Sequence, residues 1–419
     1  MKFEQFNLHE SINQAVIEQG YLCPTPIQEK AIPHIISRRD VMGLAQTGTG
    51  KTAAFVLPVL QQLMSGPRRK ARALILAPTR ELASQIHEAV NSLGRNTKLK
   101  SVAIFGGVSM EPQVSAMKRG AEIIVACPGR LLDHMTRRNI DLSSMEILVV
   151  DEADRMFDMG FLPDIRRIIK QLPTRRQNLL FSATMPDDIR RLSAEILSDA
   201  VTVQIDHTKP VENITHSLYH VEQHQKTALL KELLKRTQTE SVLVFTRTKH
   251  RAKKLAEQLG YAGFPATSLQ GNLSQVQRQK AIEGFRSGSY KILVATDIAA
   301  RGIDVSAITH VINFDMPDTT DAYTHRIGRT GRVSRSGEAF TFVTSEDTYM
   351  AYTIECLLGP ALEHKTLHGF DYSRPREEGP FRPARPQKSR QRGSRPAPRL
   401  PETRMRSAGD RYRTHISSN

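Results

Sequence analysis

An apolar, β-branched run, Ile147-Leu148-Val149-Val150, ends in Asp151-Glu152-Ala153-Asp154, three carboxylates within four residues. Such a run reads as a strand buried on both faces of a parallel sheet. In open parallel sheets, ligands bind just beyond the carboxyl ends of the strands. Upstream, Ala45-Gln46-Thr47-Gly48-Thr49-Gly50-Lys51-Thr52 follows a short apolar run and precedes a helical pattern over Thr52–Leu63. Gly48 and Gly50 let backbone N–H groups turn inward around phosphate oxygens. Lys51 brings a point charge to β/γ phosphates, Thr52 a hydroxyl for Mg²⁺, and the helix its positive dipole end. Ala45 stands where the strict P-loop pattern has Gly, so only the relaxed pattern is met. Asp151 is suited to hold Mg²⁺ through its water shell, and Glu152 to orient or deprotonate an attacking water. A carboxylate at a strand end can also be a helix cap, and a glycine pair a plain turn. Together the two motifs point to a nucleoside triphosphate with Mg²⁺.

Positioning these groups requires strands alternating with covering helices. Strand-like runs fall at 73–77, 102–105, 122–126, 147–150 and 178–181, with 3.6-residue periodicity over 80–93 and 187–197 between them. Around 207–217 the chain turns polar and is broken by Pro210, which reads as a linker. A second series follows, with strands expected at 241–245, 291–295 and 310–314 and helices at 226–236 and 250–259. The reading is therefore an α/β chain with an N-terminal domain over 1–206, a linker over 207–217 and a second α/β domain over 218–368. Residues 369–419 are rich in Arg, Pro, Ser and Gly and poor in large apolar residues, so they are expected to form a disordered basic tail.

A length of 419 residues fits two domains plus a remnant, and 39% hydrophobic content supports globular folding. The net charge is +16, and 371–419 alone holds 13 Lys/Arg against 5 Asp/Glu. A basic body with a more basic tail favours a polyanionic partner, nucleic acid before membrane. Cys23, Cys127 and Cys356 are scattered without metal-ligand spacing, which favours a reducing compartment and no structural zinc. With no apolar leader and no membrane-length apolar window, a cytoplasmic protein is expected.

The acidic string, Ala45–Thr52 and Ser182-Ala183-Thr184 together resemble the DEAD-box ATP-dependent RNA helicases of superfamily 2. Further motifs match in the family's order over roughly 1–368. They are Pro78-Thr79-Arg80-Glu81-Leu82, Gly106-Gly107, Pro128-Gly129-Arg130, Val244-Phe245-Thr246-Arg247, Ala295–Asp304 and His325–Arg332. The flavour is most similar to the bacterial RhlE-type group. The resemblance implies two tandem RecA-like domains with ATP and Mg²⁺ bound between them. Gly20–Gln28, with Phe3 upstream, resembles the family's Q motif. Gln28 would then pair with adenine through donor and acceptor contacts, and Phe3 would stack on the base. Thr47, Gly302 and Asp304 join the implied ATP site, Asp304 at the ribose. Arg329 and Arg332 are implied arginine fingers, able to contribute about 10³–10⁵ in rate. Ser182 and Thr184 would couple the ATP site to the RNA side.

By the same resemblance, RNA would be held mainly through its backbone at Arg80, Gly107, Arg130, Arg247, Gly271, Arg278, Thr296 and Arg301. Arginine forks and backbone N–H groups suit phosphates and carry little sequence information, and the 2′-OH can separate RNA from DNA. Two departures stand out: Cys127, a weak donor, replaces the family's usual Thr before Pro-Gly-Arg, and Gln270-Gly271-Asn272 replaces the usual His-Gly-Asp. The implied activity is local unwinding of short RNA duplexes by RNA-stimulated ATP hydrolysis and domain closure, in ribosome assembly or RNA turnover. An ATP-gated RNA clamp or annealing chaperone is the alternative, and a DNA-directed motor a more distant one. The basic tail would add nonspecific RNA affinity or dock a protein partner.

Overall fold

The short apolar runs pair only with one another, and every pairing is parallel. In the computed structural model the described residues are 2–46, 48–205, 214–237, 240–300, 308–331, 336–359 and 362–375. Among them, the N-terminal half supplies β1 (Val41–Leu44), β2 (Ala73–Leu76), β3 (Ser101–Ile104), β4 (Ile123–Ala126), β5 (Ile147–Val150), β6 (Gln177–Ser182) and β7 (Val201–Gln204). These form one sheet in the order β3-β4-β2-β5-β6-β1-β7. The second half supplies β8 (Ile214–His220), β9 (Val242–Phe245), β10 (Ala266–Leu269), β11 (Ile292–Ala295), β12 (His310–Asn313), β13 (Gly337–Val343) and β14 (Leu362–His364). Their order, β10-β11-β9-β12-β13-β8-β14, repeats the first sheet strand for strand. The chain is thus two RecA-like domains in tandem, as the resemblance implies. No sequence repeat announces this, because a parallel strand needs only a buried apolar run, not a particular one.

Each sheet is buried on both faces. Ile75, Ile123, Val149 and Phe181 share one apolar cluster with Ile27, Phe55 and Leu82. Leu74, Ile124, Leu148 and Leu180 point the other way, into a cluster with Leu131, Ile165 and Leu192. The alternation of neighbouring residues between two cores is the two-residue period of a strand covered by helices on both sides.

The strand order fixes what meets at the carboxyl edge. β1, β6 and β5 are neighbours, so the glycine loop after β1, Ser182-Ala183-Thr184 after β6 and Asp151-Glu152 after β5 converge. β2, β4 and β3 lie beyond them and bring Thr79-Arg80, Cys127–Arg130 and Gly106-Gly107 to the other end of the same edge. In the second sheet β10, β11 and β9 place Gly271, Thr296 and Arg247 side by side in the same manner.

Two boundaries differ from the sequence reading. The expected linker over 207–217 ends earlier, because Ile214–Ser217 already belong to β8, paired with β13 from Ile214↔Gly337 onward. Its polar lettering is deceptive, since His216 and Ser217 are buried, with His216 Nδ1 beside the Tyr323 hydroxyl at 3.2 Å. The second domain also runs past 368: Leu367, Phe370 and Tyr372 pack on its core, and Gln225 Nε2 donates to the carbonyls of Tyr372 and Arg374. The remaining linker residues and the tail over 376–419 lie outside the described residues, as do Thr47, Arg301, Gly302, Asp304 and Arg332.

Candidate nucleotide and RNA sites

The glycine loop closes on the Q motif. Gly50 has φ +93°, and a Cβ there would lie 2.5 Å from Gln28 Nε2 and 2.8 Å from Thr25 Oγ1, so only glycine fits. Gln28 is buried; its Oε1 accepts from the Thr25 N–H at 2.9 Å and its Nε2 donates to the Gly50 carbonyl at 3.0 Å. Each end of the amide retains one further hydrogen-bonding position, so Gln28 can tie the loop's shape to a base. Phe3 is buried edge-on against Phe6 and Tyr21, with centroids 5.9 and 6.0 Å away. The half-exposed ring of that trio is Tyr21, at 37%, which sequence reasoning passed over.

Lys51 Nζ reaches back across the loop to the Ala45 carbonyl at 2.8 Å, Thr49 Oγ1 donates to the Gln46 carbonyl at 2.7 Å, and Lys51 and Thr52 open the helix that follows. Facing them, Asp151 is buried; burial pushes its carboxyl up to about 7, with the Lys51 charge opposing and the Glu152 charge adding to the rise. No group of three or more His, Cys, Asp or Glu among the described residues could cage a metal. With Glu152 paired to Arg155 and Asp154 bonded to Ala183 and Thr184, Asp151 beside the phosphate loop instead fits a cation that keeps waters and phosphate oxygens as most of its ligands, as Mg²⁺ does.

Asp154 links the strand ends. Its Oδ2 accepts from the N–H of Ala183 at 3.1 Å, the N–H of Thr184 at 3.0 Å and the hydroxyl of Thr184 at 3.2 Å. Its own N–H donates to Ser182 Oγ at 3.3 Å, whose hydroxyl donates to the Thr184 carbonyl at 2.7 Å. Glu152 is held in the left-handed region at φ +53° and accepts from Arg155 at 2.5 Å.

The second domain completes this pocket. Gln46, Lys51, Glu152, Asp154, Arg155 and Ala183 share a cavity of about 30 Å³ with Thr324, His325 and Gly328. Arg329 lies in an adjoining cavity, also lined by Arg155 and His325. Burial and the Arg155 charge lower the His325 pKa, leaving a neutral imidazole. Arg326, which sequence reasoning did not single out, anchors this segment: its guanidinium clamps both Asp297 oxygens at 2.6 Å and donates to the Asp315 carbonyl.

A larger cavity of about 560 Å³ runs between the domains at the other end of the edge. Arg80, Arg130 and Cys127 line it from the first domain, Arg247, Lys249, Gly271, Arg278 and Thr296 from the second. Gly107, at φ +82°, lets the Arg80 guanidinium lie against its backbone, where any Cβ would collide with it. Arg278 also reaches across the interface. Its Nε donates to Glu81 at 2.8 Å, a cross-domain ion pair, while Arg80 reaches Gln275 at 3.4 Å. Burial drives the Cys127 thiol up to about 12, with Glu81 adding to the rise, so it meets the groove as a neutral thiol.

Fold and site define a two-domain P-loop NTPase whose nucleotide pocket and basic groove are both built at the domain interface. Residues 25–192 match the DEAD/DEAH box helicase model and 225–334 the helicase conserved C-terminal domain model. The chain is 42% identical over 354 residues to the DEAD-box ATP-dependent RNA helicase CshA of Bacillus subtilis, covering 84% of this chain and 72% of that one. It is 42% identical over 343 residues to RhpA of Helicobacter pylori, covering 82% and 69%. Saccharomyces cerevisiae Dbp5 bound to RNA and ADP BeF3 superposes with a TM-score of 0.76 at 31% identity, covering 87% of this chain and 95% of that one. Mss116p bound to ssRNA and AMP-PNP gives 0.78 at 27% identity, covering 87% and 79%. This chain belongs to the DEAD-box helicase family.

Proposed function

We propose that the chain is an ATP-dependent RNA helicase that locally unwinds short RNA duplexes. The observation that carries this reading is that one interface serves both ends of the cycle. Closing the domains brings Arg80 and Arg130 opposite Arg247 and Thr296, and in the same movement seats His325 beside Lys51, Glu152 and Asp154, with Arg329 in the adjoining cavity beside Arg155. RNA in the groove and ATP in the pocket therefore favour the same closed arrangement, which is positive coupling between two ligands.

In this mechanism Lys51 and the N–H groups around Gly48–Thr52 hold the phosphates, and Gln28 reads adenine from the back of the loop. Thr52 and, through water, Asp151 would hold Mg²⁺, which when bound would neutralise phosphate charge. Glu152 accepts a hydrogen bond from the attacking water, and Arg329, with Arg332, offsets charge developing on the γ-phosphoryl group. Asp154, bonded to Ala183 and Thr184, carries the state of the pocket to the next strand end. Arg80, Arg130, Arg247 and Thr296 grip phosphates of one strand only, so closure excludes a partner strand. The cycle relies on closure rather than stepping, so it acts on short duplexes. ATP and RNA as substrates, with three free cysteines, favour a cytoplasmic site of action.

The test is strand release from RNA duplexes of graded length, with ATP, with a nonhydrolysable analogue and with Glu152→Gln. Release that needs ATP and falls steeply with duplex length agrees with this reading. Equal release without nucleotide would favour a passive annealing chaperone.

A further inference from the structure

The acidic cluster is followed by Arg155, whose side chain is as deeply buried as that of the carboxylate it touches, at 6% and 5% exposure. It lies three positions after Glu152, so both project from the same face of the short helix Ala153–Asp158 and its cap. Only one guanidinium nitrogen makes the contact, to one carboxylate oxygen, Oε2. The neighbouring acids are differently committed: Asp154 to Ala183 and Thr184, and Asp151 to the Glu152 N–H.

Arg155 also touches both cavities of the domain interface. One is lined by Lys51, Glu152 and His325, and its 30 Å³ gives room for about one water. The other is lined by Phe245, Asp297, Arg326 and Arg329 of the second domain. A side chain wedged between a carboxylate of one domain and the His-Arg segment of the other is placed to make that carboxylate's orientation depend on closure.

We propose that Arg155 is a positioning residue for water activation: it fixes Oε2 of Glu152 so that Oε1 is presented to the water-sized cavity facing His325, and its own seat is completed by the second domain. The proposal rests on the assignment of Glu152 as the water-orienting carboxylate.

The test is RNA-stimulated ATP hydrolysis of the full chain, resolved into kcat and KM. Arg155→Met should lower kcat about 10- to 100-fold, the cost of a misplaced catalytic group, with KM for ATP within about twofold of wild type. Arg155→Lys should recover kcat to within about threefold, because one charged nitrogen suffices for a monodentate contact. In a Glu152→Gln background, Arg155→Met should change kcat no further. If Arg155→Met does not fold, Arg155→Gln supplies the same kcat comparison. Wild-type kcat in the neutral variants, or a loss of equal size in the Glu152→Gln background, overturns the proposal and leaves Arg155 a packing residue. Glu152→Gln with near wild-type kcat overturns the assignment of Glu152 itself, a different failure.

Discussion

Asp151 makes this protein less stable at neutral pH than it would be without that charge, and the size of the effect follows from its surroundings. An ordinary aspartate titrates near 3.8, whereas burial raises Asp151 to about 7. Between these values the native chain holds a proton that the unfolded chain has released, so stability falls as pH rises through this window and is flat above it. Three pH units at about 1.4 kcal/mol each set a ceiling of about 4 kcal/mol for the full penalty. Asn in place of Asp151 keeps the shape and cannot ionise. Asp151→Asn should therefore gain stability relative to wild type by about 3 kcal/mol more at pH 8 than at pH 5. Denaturant unfolding of both proteins at the two pH values, without nucleotide, measures this difference and cancels titrating groups remote from Asp151. Adding Mg²⁺ and ATP at pH 8 should reverse the ranking, because the carboxylate then has a cation to meet. A pH-independent difference between the two proteins, or a less stable Asp151→Asn at pH 8, would refute the argument that burial without full compensation governs this carboxyl.

Four further outcomes follow from particular contacts. Gly50→Ala, which forces a Cβ into Gln28 and Thr25 at φ +93°, should weaken ATP binding at least tenfold and cost about 2 kcal/mol of stability; nucleotide titration and unfolding midpoints check both. Asp154→Asn keeps the volume but weakens the three bonds gathered at Oδ2, so the ratio of RNA-stimulated to basal ATP hydrolysis should fall about tenfold while ATP affinity holds. Glu81→Ala and Arg278→Ala should each weaken RNA binding in the presence of a nonhydrolysable ATP analogue, with a coupling energy of about 1–3 kcal/mol in a double-mutant cycle; strict additivity would deny the cross-domain pair any part in closure. Alkylation followed by mass spectrometry at pH 7.5 should label the exposed Cys23 and Cys356 well ahead of the partly covered Cys127, whose thiol is raised to about 12; labelling of Cys127 as prompt as that of the other two would contradict this ordering.

Much of the fold was legible because parallel strands and amphipathic helices write themselves locally. Ile147–Val150, Arg80–Leu93 and Lys226–Arg236 carry the residue limits that periodicity predicts. β8 escaped because its polar residues, His216 and Ser217, are buried, His216 against Tyr323 from a distant segment, which no local pattern reveals. The segment around Phe370 and Tyr372 escaped for a related reason: two aromatics amid Arg and Pro look solvated until Gln225 and the second core are seen to receive them.

The site divides the same way. Groups fixed by the chain's own loops, such as Lys51, Asp151 and Asp154, sit where motif and strand order put them. Contacts set by how segments meet in three dimensions are written in no motif. Arg278 is drawn to Glu81, nearly two hundred positions away in sequence, and Phe3 turns its edges to Phe6 and Tyr21. Arg155 left no signal at all, since a lone Arg after four motif residues is ordinary; only its burial against Glu152 and its place between two cavities mark it.

The central claim is that RNA and ATP share one closed interface. Steady-state ATP hydrolysis by the full chain, with no nucleic acid, with duplex-bearing RNA and with DNA of matched sequence, tests it most directly. The account predicts slow hydrolysis alone and with DNA, and strong stimulation by RNA, lost in Glu152→Gln. Hydrolysis equal in all three conditions would contradict it, because the His325 and Arg329 segment would then be reaching the pocket without RNA in the groove.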